Sequence, residues 1–204
     1  MRMKKRMKKR MKLLLILAVL AVGVAGCGNK EEKEKPSVQY ENMEYDGPFD
    51  IEEARKNIII KGQPFEIPIK LGDLPSGWTY QEHKYSKNLD PGHGIVTLFF
   101  DGVEMVDVAL EEYDPEKPKK AIIYNFTIHT ADCSIDGFMP QVSTKDEVVG
   151  KYGEPYTRLG GDYYGIVNDS KTLGGRINNQ SISFKYNDDG TISSISLTYA
   201  DLSK

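Results

Sequence analysis

Hydrophobic and polar residues alternate over much of this chain, and the pattern predicts short β-strands joined by tight turns. Two β-hairpins are expected, one over residues 95–110 around Asp101-Gly102 and one over residues 182–199 around Asp189-Gly190. Asp-Gly between apolar runs favours a hairpin because both turn positions tolerate positive φ. Antiparallel pairing is therefore the expected organisation of most of the chain.

Each hairpin contains a break in its alternation. The apolar phase shifts between Met105 and Val106 in the first hairpin, and it slips between Ile192 and Ile195 in the second. A β-bulge sets two residues of one strand opposite one residue of its neighbour, which produces such a shift. We therefore predict one bulge in each hairpin.

A further strand is predicted over residues 122–128, where apolar and polar side chains alternate again. We expect its core-facing side chains to be Ile122, Tyr124, Phe126 and Ile128. Residues 111–120 carry an acidic run, a basic run and two prolines, which is typical of a loop.

Two short strands are also expected near the start of the globular region. They are Ile58–Ile60 and Phe65–Ile69, and the turn Lys61–Pro64 separates them. Residues 71–78 follow with turn or helical character, and Gly77 is expected to end this segment, with Trp78 in the core.

The clearest helix is predicted over residues 144–153. Thr144 and Glu147 have the spacing of a capping box, in which each side chain accepts a hydrogen bond from a backbone amide of the first turn. Gly153 suits the left-handed position after the last turn, and Pro155 prevents continuation. Because about two turns do not form a stable helix alone, this helix must dock on a sheet.

These elements predict an α+β fold: antiparallel β-hairpins form a curved sheet, with one or two short helices packed on it. An offset of 87 residues aligns Ile95 with Ile182 and Phe99 with Tyr186, which suggests two tandem repeats. We place the globular domain at residues 46–204, with possible halves at 46–120 and 121–204.

The segment Ser143–Pro155, followed by a glycine-turned hairpin, resembles the repeat of the β-lactamase-inhibitor-protein-like fold. Small outer-membrane assembly lipoproteins share this repeat. The resemblance implies a short helix that leads into a curved antiparallel sheet. It also implies a role in binding other proteins or in structuring the cell envelope, without catalytic residues.

The first 27 residues indicate where the protein is located. Residues 2–12 carry eight Lys and Arg and no acidic residue, residues 13–24 are apolar, and Val24-Ala25-Gly26-Cys27 follows. This arrangement resembles the signal peptide and lipobox of bacterial lipoproteins. It implies removal of residues 1–26, a diacylglyceryl group on the Cys27 thiol, and a lipid anchor on the extracytoplasmic face of the cell membrane. The alternative is an uncleaved anchor helix, although twelve apolar residues are few for a bilayer span.

The charge of the mature chain limits its partners. The leader holds eight of the 27 basic residues and none of the 30 acidic ones, so residues 27–204 carry a formal charge of −11. Such a domain disfavours nucleic acid as a partner. Residues 27–45 are charged and poor in apolar side chains, which predicts a flexible tether after the lipidated cysteine.

No familiar enzyme motif is present in the sequence, so we assign no catalytic residues, no cofactor and no metal site. His93 is expected in a solvated turn, and the three histidines lie in different predicted elements. Cys133 is expected to be a small buried residue.

Three tyrosines around Gly160-Gly161 are the candidate interaction residues: Tyr156, Tyr163 and Tyr164. Tyrosine is common at recognition surfaces, although these rings could instead complete the core at the open end of the sheet. The expected function is a membrane-anchored binding or structural module with a protein or cell-wall partner. A small-ligand sensor and a divergent enzyme that uses Cys133 or an acidic pair are the alternatives.

Overall fold

The structure is a computed structural model that describes residues 43–158, 160–167 and 179–200. The predicted signal peptide, Cys27 and residues 28–42 of the predicted tether lie outside the described residues. The first described strand, Met43–Glu44, pairs with a later strand of the main sheet. The last three residues assigned to the tether, 43–45, therefore belong to the folded part of the chain.

Within the described residues, antiparallel strands make up most of the fold. The strands are β1 Met43–Glu44, β2 Ile58–Ile60, β3 Gln63–Phe65, β4 Ile69–Lys70, β5 Trp78–Glu82, β6 Gly92–Phe100, β7 Val103–Tyr113, β8 Ile122–Ile128, β9 Ser134–Ile135, β10 Tyr156–Arg158, β11 Gly161–Val167, β12 Asn179–Tyr186 and β13 Ile192–Tyr199. The helices are α1 Ile51–Ala54 and α2 Lys145–Tyr152, with single 3₁₀ turns at Leu71–Asp73, Ser86–Asn88 and Pro118–Lys120.

One large sheet has the order β1-β11-β12-β13-β8-β7-β6-β5, with β10 also paired to β11 and β4 also paired to β8. A small second sheet has the order β3-β2-β9. All described pairings are antiparallel. The predicted fold class, an α+β arrangement of antiparallel hairpins with short helices, is confirmed.

Both predicted hairpins are present, and each contains the predicted bulge. In the β6–β7 hairpin the register shifts so that Met105 has no partner of its own, between the pairs Leu98↔Val106 and Phe99↔Glu104. In the β12–β13 hairpin the extra residue is Ser193. A bulge increases the local twist of a strand, so both hairpins are bent near their turns.

A further bulge, between β7 and β8, alters the predicted face of β8. The register passes from Ala109↔Asn125 to Leu110↔Ile123, which leaves Tyr124 as the extra residue. Ile123 is consequently fully buried, and Ile122 and Tyr124 are only half-buried. The strand prediction is confirmed, but strict alternation gave the wrong core residues at its start, because a bulge interrupts the two-residue period.

Two further boundaries differ from the predictions. Phe65–Ile69 is not one strand: β3 ends at Phe65, and β4 begins at Ile69 and pairs with β8 in the other sheet. Pro68 lies between them, and its missing N–H cannot contribute to a ladder. The predicted loop 111–120 is shorter, because β7 continues to Tyr113 and a 3₁₀ turn occupies Pro118–Lys120.

The core lies on one face of the large sheet, where side chains from neighbouring strands are in register. Its main members are Val96, Leu98, Val108, Leu110, Ile123, Phe126, Ile128, Tyr164, Ile182, Phe184, Ile195 and Leu197. Residues from both helices and the small sheet pack against them, including Ala54, Ile58, Ile60, Phe65, Ile135, Val148 and Tyr152. Trp78 also belongs to this core, as expected from the sequence.

The 87-residue offset aligns equivalent faces of the sheet only in part: it matches the buried residues Val108 and Leu110 with the buried residues Ile195 and Leu197 on the return strands, but it fails on the first strands. Ile95 is in register with Ala109 and Asn125, on the face opposite the core. Ile182, which the offset aligns with Ile95, is fully buried on the core face. The apparent match at these two positions therefore follows from alternation within strands, which gives apolar residues at either face.

Helix α2 forms as the sequence predicts. Thr144 accepts a hydrogen bond from the Glu147 amide, and the Glu147 carboxylate accepts one from the Thr144 amide at 2.8 Å. Gly153 follows with φ 85° and ψ −168°, a combination that is essentially restricted to glycine but is not the predicted left-handed helical conformation. Val148 and Tyr152 face the core, so the eight-residue helix is stabilised by docking.

Candidate functional site

The candidate site lies at the edge of the large sheet where two short strands meet. Strand β1 pairs with the end of β11, through Met43↔Val167, and β10 pairs with its beginning, through Tyr156↔Tyr163. Because β1 and β10 both pair antiparallel with β11, they run in the same direction along it. Between them, β11 presents Gly165, whose carbonyl accepts a hydrogen bond from the Tyr45 amide at 3.1 Å.

Gly165 is required at this position for two reasons. Its φ of +103° is rarely adopted by residues with a side chain, and a Cβ atom here would lie 2.3 Å from the Gln180 carbonyl oxygen. The glycine therefore allows β11 to approach the backbone of β12 closely at this point.

A pocket of about 210 Å³ lies at this junction. We call it the tyrosine pocket, and its described lining residues are Tyr45, Asp46, Glu154, Pro155, Tyr156, Tyr163, Gly165 and Val167. Two of the three candidate interaction residues, Tyr156 and Tyr163, contribute to its wall. They are direct cross-strand partners, and Tyr156 is 44% exposed while Tyr163 is half-buried.

Tyr164 is not part of the exposed surface. Its side chain is 0% exposed, and its ring contacts Tyr45 and Tyr152 edge-on, with centroid separations of 5.1 Å in both cases. Its hydroxyl donates a hydrogen bond to the Gly153 carbonyl at 3.2 Å. Burial, followed by the charge of Asp162, raises the pKa of Tyr164, so the phenol is neutral. Tyr164 is therefore a core residue and not a surface contact, which is the alternative that the sequence left open. Adjacent residues of a strand face opposite sides of a sheet, so Tyr163 and Tyr164 differ in this respect.

Negative charge surrounds the pocket. Asp46 follows β1 and Glu154 follows α2, and both side chains are exposed. Burial raises the pKa of Tyr45, and the carboxylates of Asp46 and Glu154 raise it further. Both carboxylates therefore act on the same pocket residue, although they lie far apart in the sequence. Sequence reasoning missed Tyr45, Asp46 and Glu154, and the available signal was an aromatic residue, Tyr45, at the end of a polar segment.

Two buried carboxylates hold helix α2 beside the pocket. Asp162 Oδ2 lies 2.8 Å from Lys145 Nζ, and its Oδ1 accepts a hydrogen bond from the Thr157 hydroxyl at 2.7 Å. Asp136 Oδ2 lies 2.6 Å from Lys151 Nζ. Both aspartate side chains are only 3% exposed, so each depends on its lysine to compensate for lost hydration. These pairs fix α2, and with it the loop that carries Glu154.

The other residues weighed from the sequence do not converge on a second site. The His93 amide closes the predicted turn by donating a hydrogen bond to the Asp90 carbonyl at 3.1 Å, but the residue also belongs to β6, where it pairs with Glu111 and is half-buried. Cys133 is 3% exposed, which confirms its expected burial. Its sulfur lies 3.5 Å from the Thr130 hydroxyl and 3.5 Å from the Asp132 carboxylate.

Three observations complete the description of the site. No group of three or more His, Cys, Asp and Glu side chains that could hold a metal ion occurs in the described part of the chain. Neither helix within residues 43–158, 160–167 and 179–200 is long and apolar enough to cross a bilayer. Comparisons with protein-family models, with curated proteins and with solved structures found no match.

Proposed function

We propose that this chain is a lipid-anchored, extracytoplasmic binding module and that the tyrosine pocket is its ligand site. The observation that carries this proposal is the pocket itself, whose wall contains Tyr156 and Tyr163 side by side. Tyrosine gives a large contact area, has few rotatable bonds and has a polar tip, which suits recognition of a partner. The basic leader and the lipobox support the lipid anchor, and the resemblance of 143–155 to envelope lipoproteins supports a binding role.

A capture experiment tests this proposal. The full chain, solubilised from its native membranes in mild detergent, is compared with the double variant Tyr156→Ser/Tyr163→Ser. Tyr85→Ser is the matched control, since Tyr85 is 55% exposed in the connection between β5 and β6, at the other edge of the sheet. We expect an envelope component to be retained by the native chain and the control, and to be lost from the double variant. Identical captured material from all three chains would contradict the proposal.

The size of the pocket also favours the small-ligand alternative. Pockets for drug-sized ligands usually enclose about 300–1,000 Å³, so about 210 Å³ suits one small molecule or one side chain of a larger partner. A ligand that binds only the folded chain raises its unfolding temperature. A metabolite that stabilises the native chain, but not the Tyr156→Ser/Tyr163→Ser variant, would favour a sensor over a protein partner.

A further inference from the structure

The net charge of the tyrosine pocket restricts what it can bind. Of its described lining residues, only Asp46 and Glu154 are charged, and both are acidic. The other polar side chains among the described lining residues are the phenols of Tyr45, Tyr156 and Tyr163. An anionic ligand would face two negative charges without a compensating cation among the described lining residues.

Some carboxylates of the neighbouring elements form ion pairs within the described part of the chain. Asp136 and Asp162 form ion pairs with the lysines of α2, and Glu52 and Glu66 pair with Arg55. Among the described side chains, no lysine, arginine or histidine nitrogen lies within 4.0 Å of Asp46 or Glu154. Two carboxylates therefore lie at one pocket without an ion pair to any described residue.

The two tyrosine rings of the pocket wall also favour a positively charged ligand. Tyr156 and Tyr163 lie directly opposite each other on neighbouring strands, so their Cβ atoms are about 5 Å apart on one face. The face of a tyrosine ring carries partial negative charge and attracts alkylammonium and guanidinium groups, by about 0.5–1 kcal/mol at exposed sites. The rings also pack against the apolar part of such a group.

The positions of the acidic residues do not depend on a single loop. Asp46 is held by the pairing of β1 with β11, and Glu154 by the docking of α2 through Lys145 and Lys151. Two separate elements thus present carboxylates at one cavity that is also lined by Gly165 and by three tyrosines. This convergence distinguishes the pocket from an ordinary acidic surface.

We infer that the tyrosine pocket binds a single positively charged group, an alkylammonium or a guanidinium, with Tyr156 and Tyr163 contacting its apolar part and Asp46 and Glu154 its charge. This inference rests on the proposed function of the pocket as the ligand site. The group is supplied either by a small organic cation or by a lysine or arginine side chain of a peptide.

Titrations with simple probes test the inference. The full chain in a non-ionic detergent is titrated with n-butylammonium, n-butylguanidinium, n-butanol and butyrate, and tyrosine-ring NMR signals report binding. We expect the two cations to shift the signals of Tyr156 and Tyr163, and butanol and butyrate to bind at least fivefold more weakly, since two exposed ion pairs and the ring contacts favour the cations. Equal binding of butanol or butyrate would overturn the inference.

A charge-matched pair of variants separates local contacts from overall charge. Asp46→Asn/Glu154→Gln removes two negative charges at the pocket, and Glu116→Gln/Asp188→Asn removes two at distant exposed positions. We expect the first variant to weaken cation binding by roughly fivefold or more and the second to leave it unchanged. Equal losses in both variants would mean that only net charge matters and would overturn the inference. Circular dichroism checks that all variants remain folded.

Two further comparisons identify the source of the cation and distinguish failure of the cation inference from failure of the proposed binding function. Capped tripeptides with a central lysine or arginine, compared with the free butyl cations, bind more tightly if a peptide is the natural source and equally or more weakly if a small cation is. If the Tyr156→Ser/Tyr163→Ser variant loses its captured component while no cation binds, the pocket remains the ligand site and the cation inference is wrong. If cations bind but capture is unchanged in that variant, the cation inference stands and the proposed capture of an envelope component fails.

Discussion

At the scale of single residues, two buried tyrosine hydroxyls differ in one respect that can be measured. The Tyr152 hydroxyl donates a 2.5 Å hydrogen bond to Asp136 Oδ2, which also binds Lys151. The Tyr186 hydroxyl is buried without a hydrogen-bond partner among the described residues. A hydrogen bond to a charged group contributes about 1.5–3 kcal/mol, whereas a buried hydroxyl without a partner is a net cost.

Removing the hydroxyl should therefore destabilise the chain at Tyr152 but not at Tyr186. Tyr152→Phe is expected to lower the free energy of unfolding by about 1.5–3 kcal/mol, because Asp136 loses a donor in a buried site. Tyr186→Phe is expected to leave it unchanged or to raise it by up to about 1 kcal/mol. Urea denaturation of the two variants measures the difference. A loss in Tyr186→Phe as large as that in Tyr152→Phe would show that Tyr186 has a partner.

At the scale of elements, the parts that sequence predicts are those with local signals. Three predictions depend on only a few adjacent residues, and each is confirmed: the hairpin turn at Asp101-Gly102, the bulge at Met105 and the capping box of α2. Strand β5 is different, because among its five residues only Trp78 is buried. Strand β1 has two residues, which is too short for any period. Such strands exist through their partners, so a pattern along the chain does not reveal them.

The capping box of α2 allows a test at this scale. Thr144→Ala removes the side-chain acceptor for the Glu147 amide, and we expect a loss of about 1 kcal/mol in unfolding free energy. The helix should remain docked, because Lys145 and Lys151 still pair with Asp162 and Asp136. Denaturant unfolding measures the loss, and Ser76→Ala, in an exposed turn, is the control. A change of less than 0.3 kcal/mol, roughly the measurement error, would show that docking alone holds the first turn.

At the scale of the whole molecule, long-range pairing creates the candidate site. The sequence singled out Tyr156 and Tyr163 because their residue type is common in recognition, but it gave no reason to place Tyr45 and Asp46 beside them. That placement requires β1 to pair with β11, more than one hundred residues later. Tyr164 shows the complementary error, since only the register with Ile182 shows that it faces the core. Residue type identified part of the site, and topology supplied the rest.

The tyrosines of the core make stability depend on high pH. Burial, with the hydrogen bond to Asp136 as the second cause, raises the pKa of Tyr152, and burial also raises the pKa of Tyr164. Above about pH 10 the unfolded chain loses these phenolic protons while the folded chain keeps them. The two tyrosines therefore make their full contribution to the free energy of unfolding below about pH 10. Above pH 10 the free energy of unfolding falls by about 1.4 kcal/mol per pH unit for each of them.

We expect alkaline unfolding to coincide with ionisation of these two side chains. Phenolate absorbance and circular dichroism, recorded together between pH 9 and 13, test this. The last part of the absorbance change should follow the loss of β-sheet signal. Tyr164→Phe removes one of the two phenols, so its free energy of unfolding, compared with its own value at pH 7, should fall less steeply above about pH 10, and its unfolding midpoint should lie at higher pH. Ionisation of all twelve tyrosines with the sheet intact would contradict the expectation.

The proposed membrane anchor is a lipid joined to Cys27 by one thioether bond, and the charge of the mature chain offers no other means of attachment to an anionic bilayer. A formal charge of −11 opposes adsorption on an anionic bilayer, so electrostatic attraction cannot hold the chain at the membrane. Acyl chains contribute about 0.8 kcal/mol per buried CH₂, and two chains are enough for stable attachment. The membrane association of the native chain is thus expected to depend on the lipid at Cys27 and not on the folded surface.

Replacing this cysteine provides the test. Mass spectrometry of the native chain should show a diacylglyceryl thioether on Cys27 and no residues before it, whereas Cys27→Ala should carry no lipid and retain residues 1–26. Removing the leader from Cys27→Ala with an engineered protease site should then release it into the aqueous phase of a detergent partition, while the lipidated chain stays with the detergent. The variant Cys133→Ala is the control, since it removes the other cysteine, which is buried. An aqueous native chain, or an unmodified Cys27 with the leader still attached, would show that this protein is not anchored by lipid.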